Sequence, residues 1–168
     1  MMSLSFRIIL LGIAIVALVG CNQYSFGSGE SSVESVDQST VVRELQYFDN
    51  NTEGPLYEVS LTVPDGWVGE FEILDRGNSL VFRYLKDEDT KTGAPIFYLE
   101  ALSNAQYWEQ IGSYPGQYVN IANTADTYFI YHLPIDPFYS GLDEDEYEEL
   151  ADQVPDVIGS FEAVRVDD

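Results

Sequence analysis

Short stretches in which apolar and polar residues alternate constrain the fold of this chain more than any other feature of its sequence. The segment LYEVSLTV (residues 56–63) places one tyrosine, two valines and one leucine on one face and polar side chains on the other, as in a strand with one buried face. Further strands are predicted over residues 67–74, 79–86, 94–102, 117–122 and 127–133. Because the connections are short, neighbouring strands should pair antiparallel. The sequence therefore predicts an antiparallel sheet of about six strands.

Two helices are predicted to cover this sheet. Ser103 can cap a short helix running through Gln110, because a serine hydroxyl accepts a hydrogen bond from a free amide of the first turn. A second helix is predicted from Asp143 to about Val154, since the acidic residues of its first turn complement the positive end of the helix dipole. Pro155 should stop or kink that helix. Strands and helices together indicate an α+β fold.

The beginning of the chain is organised as an export signal. A short positive start that ends at Arg7 precedes twelve apolar residues, 8–19, and a cysteine follows directly after Gly20. Two alternatives are an uncleaved transmembrane helix and an ordinary secretory signal. As a helix, residues 8–21 would span roughly 21 Å, less than the roughly 30 Å of a membrane hydrocarbon core. An ordinary signal would not require Cys21 at the end of the motif.

Residues 18–21 (LVGC) resemble the lipobox of bacterial lipoproteins. The resemblance implies that Cys21 receives a diacylglyceryl group, that lipoprotein signal peptidase cuts before it, and that the new amino terminus is often acylated as well. Two or three acyl chains would anchor the protein stably to a membrane. Cys21 is also the only cysteine, so no internal disulfide is expected.

Three regions follow from this interpretation. Residues 1–20 form the signal peptide, residues 21–40 hold the lipidated cysteine and a flexible linker, and residues 41–168 form a single domain of ordinary size. The linker is rich in serine, glycine and acidic residues, which bury too little apolar surface to offset the entropy of ordering. Asn22 follows the cysteine, whereas an aspartate there commonly marks inner-membrane retention. The expected location is the cell envelope, with the periplasmic face of the outer membrane favoured in a host with two membranes.

The two ends of the domain resemble PsbP-like domains. The segment LYEVSLTVPDGW (residues 56–67) is similar to their first strand running into P-x-G-W, and YEELADQVPDVIGSFEAV (residues 147–164) is similar to their last helix before S-F. The family fold is an α/β/α sandwich around an antiparallel sheet, and most members bind partners rather than catalyse reactions. The resemblance therefore implies a sandwich fold and a binding role.

Few residue patterns indicate catalysis or metal binding, so no catalytic residue, cofactor or metal ligand is assigned. The chain has one histidine, His132, in a predicted strand, where a hydrogen bond to the backbone explains it better than a catalytic triad. Residues 87–98 begin like a calcium loop, but Lys91 stands where an oxygen ligand belongs. Asp136, Asp143 and Asp145 could together hold a weak calcium ion, although helix capping also explains acidic residues at these positions.

The segment LPIDPFYSG (residues 133–141) is the predicted functional loop, because it can present a rigid exposed shape between a strand and a helix. The assigned binding residues are Asp136, Phe138, Tyr139 and Trp108. Other aromatic residues that could line a sugar or peptide groove, unless they belong to the core, are Tyr107, Tyr114 and Tyr118. The predicted function is a non-catalytic binding or accessory domain of an envelope lipoprotein. A carboxylate-based envelope hydrolase is the alternative.

The charge of the chain restricts its partners. The sequence contains 29 acidic and 7 basic residues, for a net charge of −22. Such a field repels the phosphates of nucleic acids, which excludes a DNA- or RNA-binding role. It favours a basic protein as partner, and a glycan is the other expected class.

Replacing Cys21 by serine should abolish lipidation, because this thiol is the only suitable acceptor. The wild-type chain expressed in a bacterium should incorporate labelled fatty acid and leave the membrane fraction only with detergent. The Cys21→Ser chain should lose the label and either accumulate uncut or become soluble, whereas Ser25→Ala should behave as wild type. Equal labelling of the Cys21→Ser chain would contradict the lipoprotein assignment.

Overall fold

The computed structural model describes residues 31–85, 93–114, 116–136 and 141–166. The strands are β1 (Ser32–Ser35), β2 (Thr40–Leu45), β3 (Phe48–Asp49), β4 (Thr52–Glu53), β5 (Tyr57–Thr62), β6 (Phe71–Asp75), β7 (Ser79–Tyr84), β8 (Ala94–Ser103), β9 (Val119–Asn123), β10 (Thr127–His132) and β11 (Glu162–Arg165). The helices are α1 (Asn104–Ser113), α2 (Glu144–Ala151) and α3 (Val154–Gly159), with one turn of 3-10 helix at Asp65–Trp67.

The strands form two main antiparallel sheets. The larger has six strands in the order β1-β6-β7-β8-β10-β9, and the smaller has three in the order β11-β5-β2. The short strands β3 and β4 pair as a separate hairpin. This architecture confirms the predicted α+β class with an antiparallel six-stranded sheet. The sequence predicted one sheet, however, and the structure places β5 in a second one.

Neighbouring residues of β10 show how the layers are arranged. Tyr128 stacks on Tyr107 of α1, with ring centroids 4.0 Å apart. Phe129, the next residue, contacts Tyr57 of β5 and Phe161 before β11. Because successive side chains of a strand point to opposite faces, α1 and the smaller sheet lie on opposite faces of the larger sheet.

Stacked aromatic side chains fill the core on the face that meets the smaller sheet. Trp67 stacks on Phe71 with ring centroids 4.1 Å apart, and Phe82 stacks on Phe97 at 4.3 Å. All four side chains are buried. Large aromatic side chains bury much apolar surface, so these four make a substantial contribution to the stability of the domain.

The helix ends agree closely with the signals in the sequence. The Ser103 hydroxyl accepts a hydrogen bond from the Gln106 amide at 3.1 Å, and the Gln106 side chain accepts one from the Ser103 amide at 2.9 Å. Asp143 caps α2 by accepting from the Glu146 amide at 2.9 Å. The second helix is shorter than predicted. It ends at Ala151 and not near Val154, and Pro155 lies in the first turn of the next helix, α3.

The flexible linker predicted over residues 22–40 is wrong from Ser32 onward; residues 22–30 lie outside the described part of the chain. Strand β1 pairs with β6, and Val36 exchanges backbone hydrogen bonds with Phe71 and Gly69. The Val36 side chain is 1% exposed in the core. The error has a physical reason: β1 exposes every side chain, so its pairing depends on backbone hydrogen bonds and leaves no apolar pattern in the sequence.

The predicted signal segment, residues 1–20, lies outside the described residues. Among the helices that the structure does describe, none is long and apolar enough to cross a membrane.

Truncating Val36 should destabilise the domain although it lies in the predicted linker. Val36→Ala removes buried methyl groups and should lower the free energy of unfolding by roughly 2 kcal/mol. Val33→Ala is the matched control, because Val33 is 51% exposed on β1 and should change stability by less than about 0.5 kcal/mol. Chemical denaturation measures both. Equal, negligible effects would contradict the placement of residues 32–40 in the fold.

Candidate functional site

A groove of about 350 Å³ opens at one end of the β9–β10 hairpin. Three segments meet there: the residues that lead into β9, the end of β10 with the residues after it, and the junction of α2 with α3. The lining residues are Gly116, Gln117, Tyr118, Val119, Tyr131, His132, Leu133, Pro134, Ile135, Ala151, Val154 and Pro155. The groove is therefore assembled from parts of the chain that are distant in sequence.

The rim of the groove is aliphatic and exposed. Val119, Leu133 and Ile135 are all large apolar residues that remain accessible to solvent, and Ile135 is 77% exposed. Pro134 lies between two of them and restricts the backbone there. Single exposed apolar residues are ordinary on protein surfaces, but a cluster that surrounds a cavity is typical of a binding site.

His132 forms the polar side of the groove. Its ring stacks on Tyr98, with centroids 4.6 Å apart and planes 4° from parallel, and Tyr118 meets it edge-on at 5.0 Å. The Nε2 atom lies 3.5 Å from Oε1 of Glu100. This arrangement holds the imidazole between two aromatic rings and beside a carboxylate, so an ion pair forms when the ring is protonated.

Hydrogen bonding orients the imidazole further. Nδ1 lies 3.1 Å from the Leu133 carbonyl oxygen, and because a carbonyl can only accept, Nδ1 carries the proton in this bond. The histidine is thus bonded to the backbone, as the sequence predicted. Burial raises the pKa of the Tyr118 phenol, and Glu100 and Tyr114 raise it further. Tyr118 therefore stays neutral near pH 7 and can donate a hydrogen bond.

The far end of the hairpin is fixed to the smaller sheet. The Tyr57 hydroxyl donates to Thr124 Oγ1 at 3.0 Å, and the Thr127 amide donates to the same oxygen at 3.1 Å. Arg165 of β11 lies 3.7 Å from the Asp126 carboxylate. These contacts hold the turn between β9 and β10 against the smaller sheet. The hairpin is therefore fixed at the end that lies away from the groove.

The helical wall of the groove belongs to the most acidic stretch of the domain. Residues 143–156 contain eight acidic residues and no basic residue. Ala151, Val154 and Pro155, which face the groove, lie within this stretch. A partner that approaches the groove therefore meets an apolar surface bordered by negative charge.

The sequence located only part of this site. The first three residues of the predicted loop, 133–135, line the groove, and Asp136 follows them as an exposed residue. Phe138, Tyr139 and the predicted lipidation residue Cys21 lie outside the described residues. Trp108 lies on α1, is 60% exposed and meets Tyr107 edge-on, but it does not line the groove.

Sequence reasoning missed the helical wall and the role of His132. Val154 and Pro155 come to the groove through tertiary packing, which no local pattern reveals. His132 occupies the last position of β10, next to Leu133. The sequence feature that could have indicated its role is a histidine at the end of a strand, followed by an aliphatic loop. No group of three carboxylate, histidine or cysteine side chains within the described ranges is arranged to hold a metal ion, so Asp136, Asp143 and Asp145 do not form one there.

Comparison of the chain with protein-family models, with curated proteins and with solved structures finds no match.

Proposed function

We propose that this chain is a lipid-anchored envelope protein whose domain binds a protein partner through the groove between the β9–β10 hairpin and the α2–α3 junction. The observation that carries the proposal is the exposed aliphatic rim formed by Val119, Leu133 and Ile135 around a cavity of about 350 Å³. Exposed apolar residues around a concave surface gain free energy when a partner removes them from water.

The chemistry of the rim favours a protein over a glycan. Sugars bind best on the open faces of aromatic rings, whereas the rim residues are aliphatic. The lining also contains two tyrosines, of which Tyr118 is engaged edge-on with His132 and Tyr131 is half-buried on β10. A cavity of this size takes one or two apolar side chains, with Tyr118 and Gln117 available for hydrogen bonds.

The anchor belongs to the same proposal. Cys21, at the end of the LVGC motif, would tether the domain to the envelope, and Asn22 favours the outer membrane over retention in the inner one. A tether raises the effective concentration of the domain toward partners at the same membrane. Moderate affinity in the groove would then be sufficient for binding.

The resemblance to PsbP-like domains supports a binding role as well. The two segments that carry it are neighbours: the Thr62 amide donates to Ser160 Oγ at 2.7 Å, and β5 pairs with β11. The second segment also supplies the helical wall of the groove, through Ala151, Val154 and Pro155.

A photoreactive amino acid at position 135 should crosslink the partner in intact envelopes. Ile135 is 77% exposed on the groove rim, and Val164, 63% exposed on β11 away from the groove, is the matched control position. We expect a discrete adduct from position 135, seen as a band of higher mass, and none from position 164. The band should weaken at least fivefold when Leu133→Asp is added.

Equal adducts from both positions, or none from position 135, would contradict groove binding. The hydrolase alternative predicts a different result: the purified chain would turn over an ester, glycoside or peptide substrate, and a single carboxylate substitution would abolish that turnover.

A further inference from the structure

Strand β9 carries no charged side chain, although the chain as a whole is strongly charged. Its sequence is VNIAN, and residues 110–125 around it contain neither an acidic nor a basic residue. Charged residues make up 21% of the chain, so about three would be expected over such a stretch at the average composition. The region next to the groove is therefore a neutral segment in an acidic protein.

The same strand is an edge of the larger sheet. It pairs with β10 on one side, and it is the last strand in the order of the described sheet. Edge strands expose free amide and carbonyl groups. Proteins protect such edges with β-bulges, and the β9–β10 pairing has one register shift at Phe129/Ile130. Proteins also protect edges with charged side chains, which β9 lacks. In the described part of the chain, each other edge of the two main sheets has such protection: Glu34 in β1, Arg43 and Glu44 in β2, and Glu162 and Arg165 in β11.

The backbone of β9 presents hydrogen-bonding groups away from β10. The Thr124 amide donates to the Thr127 carbonyl at 2.8 Å at the hairpin turn. Opposed residues alternate between bonded and non-bonded pairs in an antiparallel ladder, so Asn123, opposite Tyr128, directs its amide and carbonyl outward. The Tyr57–Thr124 hydrogen bond fixes this end of the strand. The Asn123 end of the edge is thus held in place before any partner arrives, while the pairing is irregular farther along, between Ala122 and Asn120.

We propose that an extended segment of a basic protein partner pairs with β9 as an added strand and places an apolar side chain in the adjoining groove. Tyr118 and Val119 connect the two features, since both line the groove and Val119 begins β9. Backbone hydrogen bonds would supply affinity and the groove would select side chains, as in other strand-addition complexes. The inference rests on the proposed function, because it specifies how the groove binds its partner.

Charge determines the class of partner. The groove takes Ala151, Val154 and Pro155 from the acidic stretch 143–156. The exposed residues Asp152 and Asp156 follow two of these lining residues directly, while β9 carries no charged side chain. Lysine or arginine residues in the segment would be attracted by this acidic stretch and by the net negative charge of the chain. A second copy of the chain would instead bring its own net charge of −22 and be repelled.

Three synthetic octapeptides test the proposal on the full chain in detergent. The first alternates valine and lysine. The second is the same peptide N-methylated at two adjacent central residues, which removes amide donors from both edges of the strand. The third alternates valine and glutamate. Fluorescence anisotropy of labelled peptide should show that the first binds at least tenfold more tightly than either of the others.

A matched pair of variants separates strand pairing from general electrostatic attraction. Asn120→Lys adds a positive charge to β9, and Val42→Lys adds the same charge to β2, an edge strand of the smaller sheet on which Val42 is also exposed. We expect Asn120→Lys to weaken binding of the valine–lysine peptide at least tenfold and Val42→Lys to change it less than twofold.

Three results would overturn strand addition at β9. One is equal binding of the methylated and unmethylated peptides, and another is equal weakening by both lysine variants. The third is sedimentation of the wild-type chain as a dimer that Asn120→Lys dissociates, which would assign the edge to a second copy. If position 135 still crosslinks a partner in any of these cases, the groove remains a binding site and only the strand-addition mode is wrong.

Discussion

Packing of aromatic rings between two antiparallel sheets is the interaction on which the rest of this structure depends. The only cysteine is Cys21, so no internal disulfide restricts the unfolded chain. The net charge of −22 opposes compaction. The Trp67–Phe71 and Phe82–Phe97 stacks and the Tyr57–Phe129 contact counter both effects, and each such pair contributes about 0.5–1.5 kcal/mol beyond simple burial.

This core also determines where function can lie. Phe129 packs into it from β10, and the next strand, β9, is therefore held at the edge of a rigid sheet. The Tyr57–Thr124 hydrogen bond continues the same support to the hairpin turn. At the opposite end of the hairpin, His132 and Tyr118 line the groove. A partner would meet a surface that needs little reorganisation, which lowers the entropic cost of binding.

Alternating patterns predicted the segments of β5 to β10, because burial of one face leaves a period of two in the sequence. They did not predict β2 or β11 of the smaller sheet. The caps at Ser103 and Asp143 were equally predictable, since each depends on a local hydrogen bond. Pro155, which was predicted to stop or kink α2, lies instead in the first turn of α3. Two features could not be predicted from the sequence. Strand β1 pairs through its backbone with exposed side chains, and β5 joins a second sheet through contacts with β2 and β11 that come from distant parts of the chain.

In the candidate site, too, one part could be predicted from local sequence and another part could not. The loop that begins at Leu133 was predicted from its two prolines, two aromatic residues and one acid, and its first three residues line the groove. The opposite wall, at Val154 and Pro155, is brought there by tertiary packing and has no local signature. The charge-free edge is visible in the sequence, but its meaning depends on knowing that β9 is the last strand of its sheet.

Hydrogen exchange at the backbone amides of β9 tests this edge as a binding surface most directly. The amides of Asn120–Asn123 would be followed in the full chain with and without a saturating valine–lysine octapeptide. Strand addition predicts that the outward amide of Asn123 exchanges at least tenfold more slowly in the complex, while the amides of β1 at the opposite edge exchange at an unchanged rate. Unchanged exchange at Asn123 in the saturated complex, or equal slowing at both edges, would contradict the account.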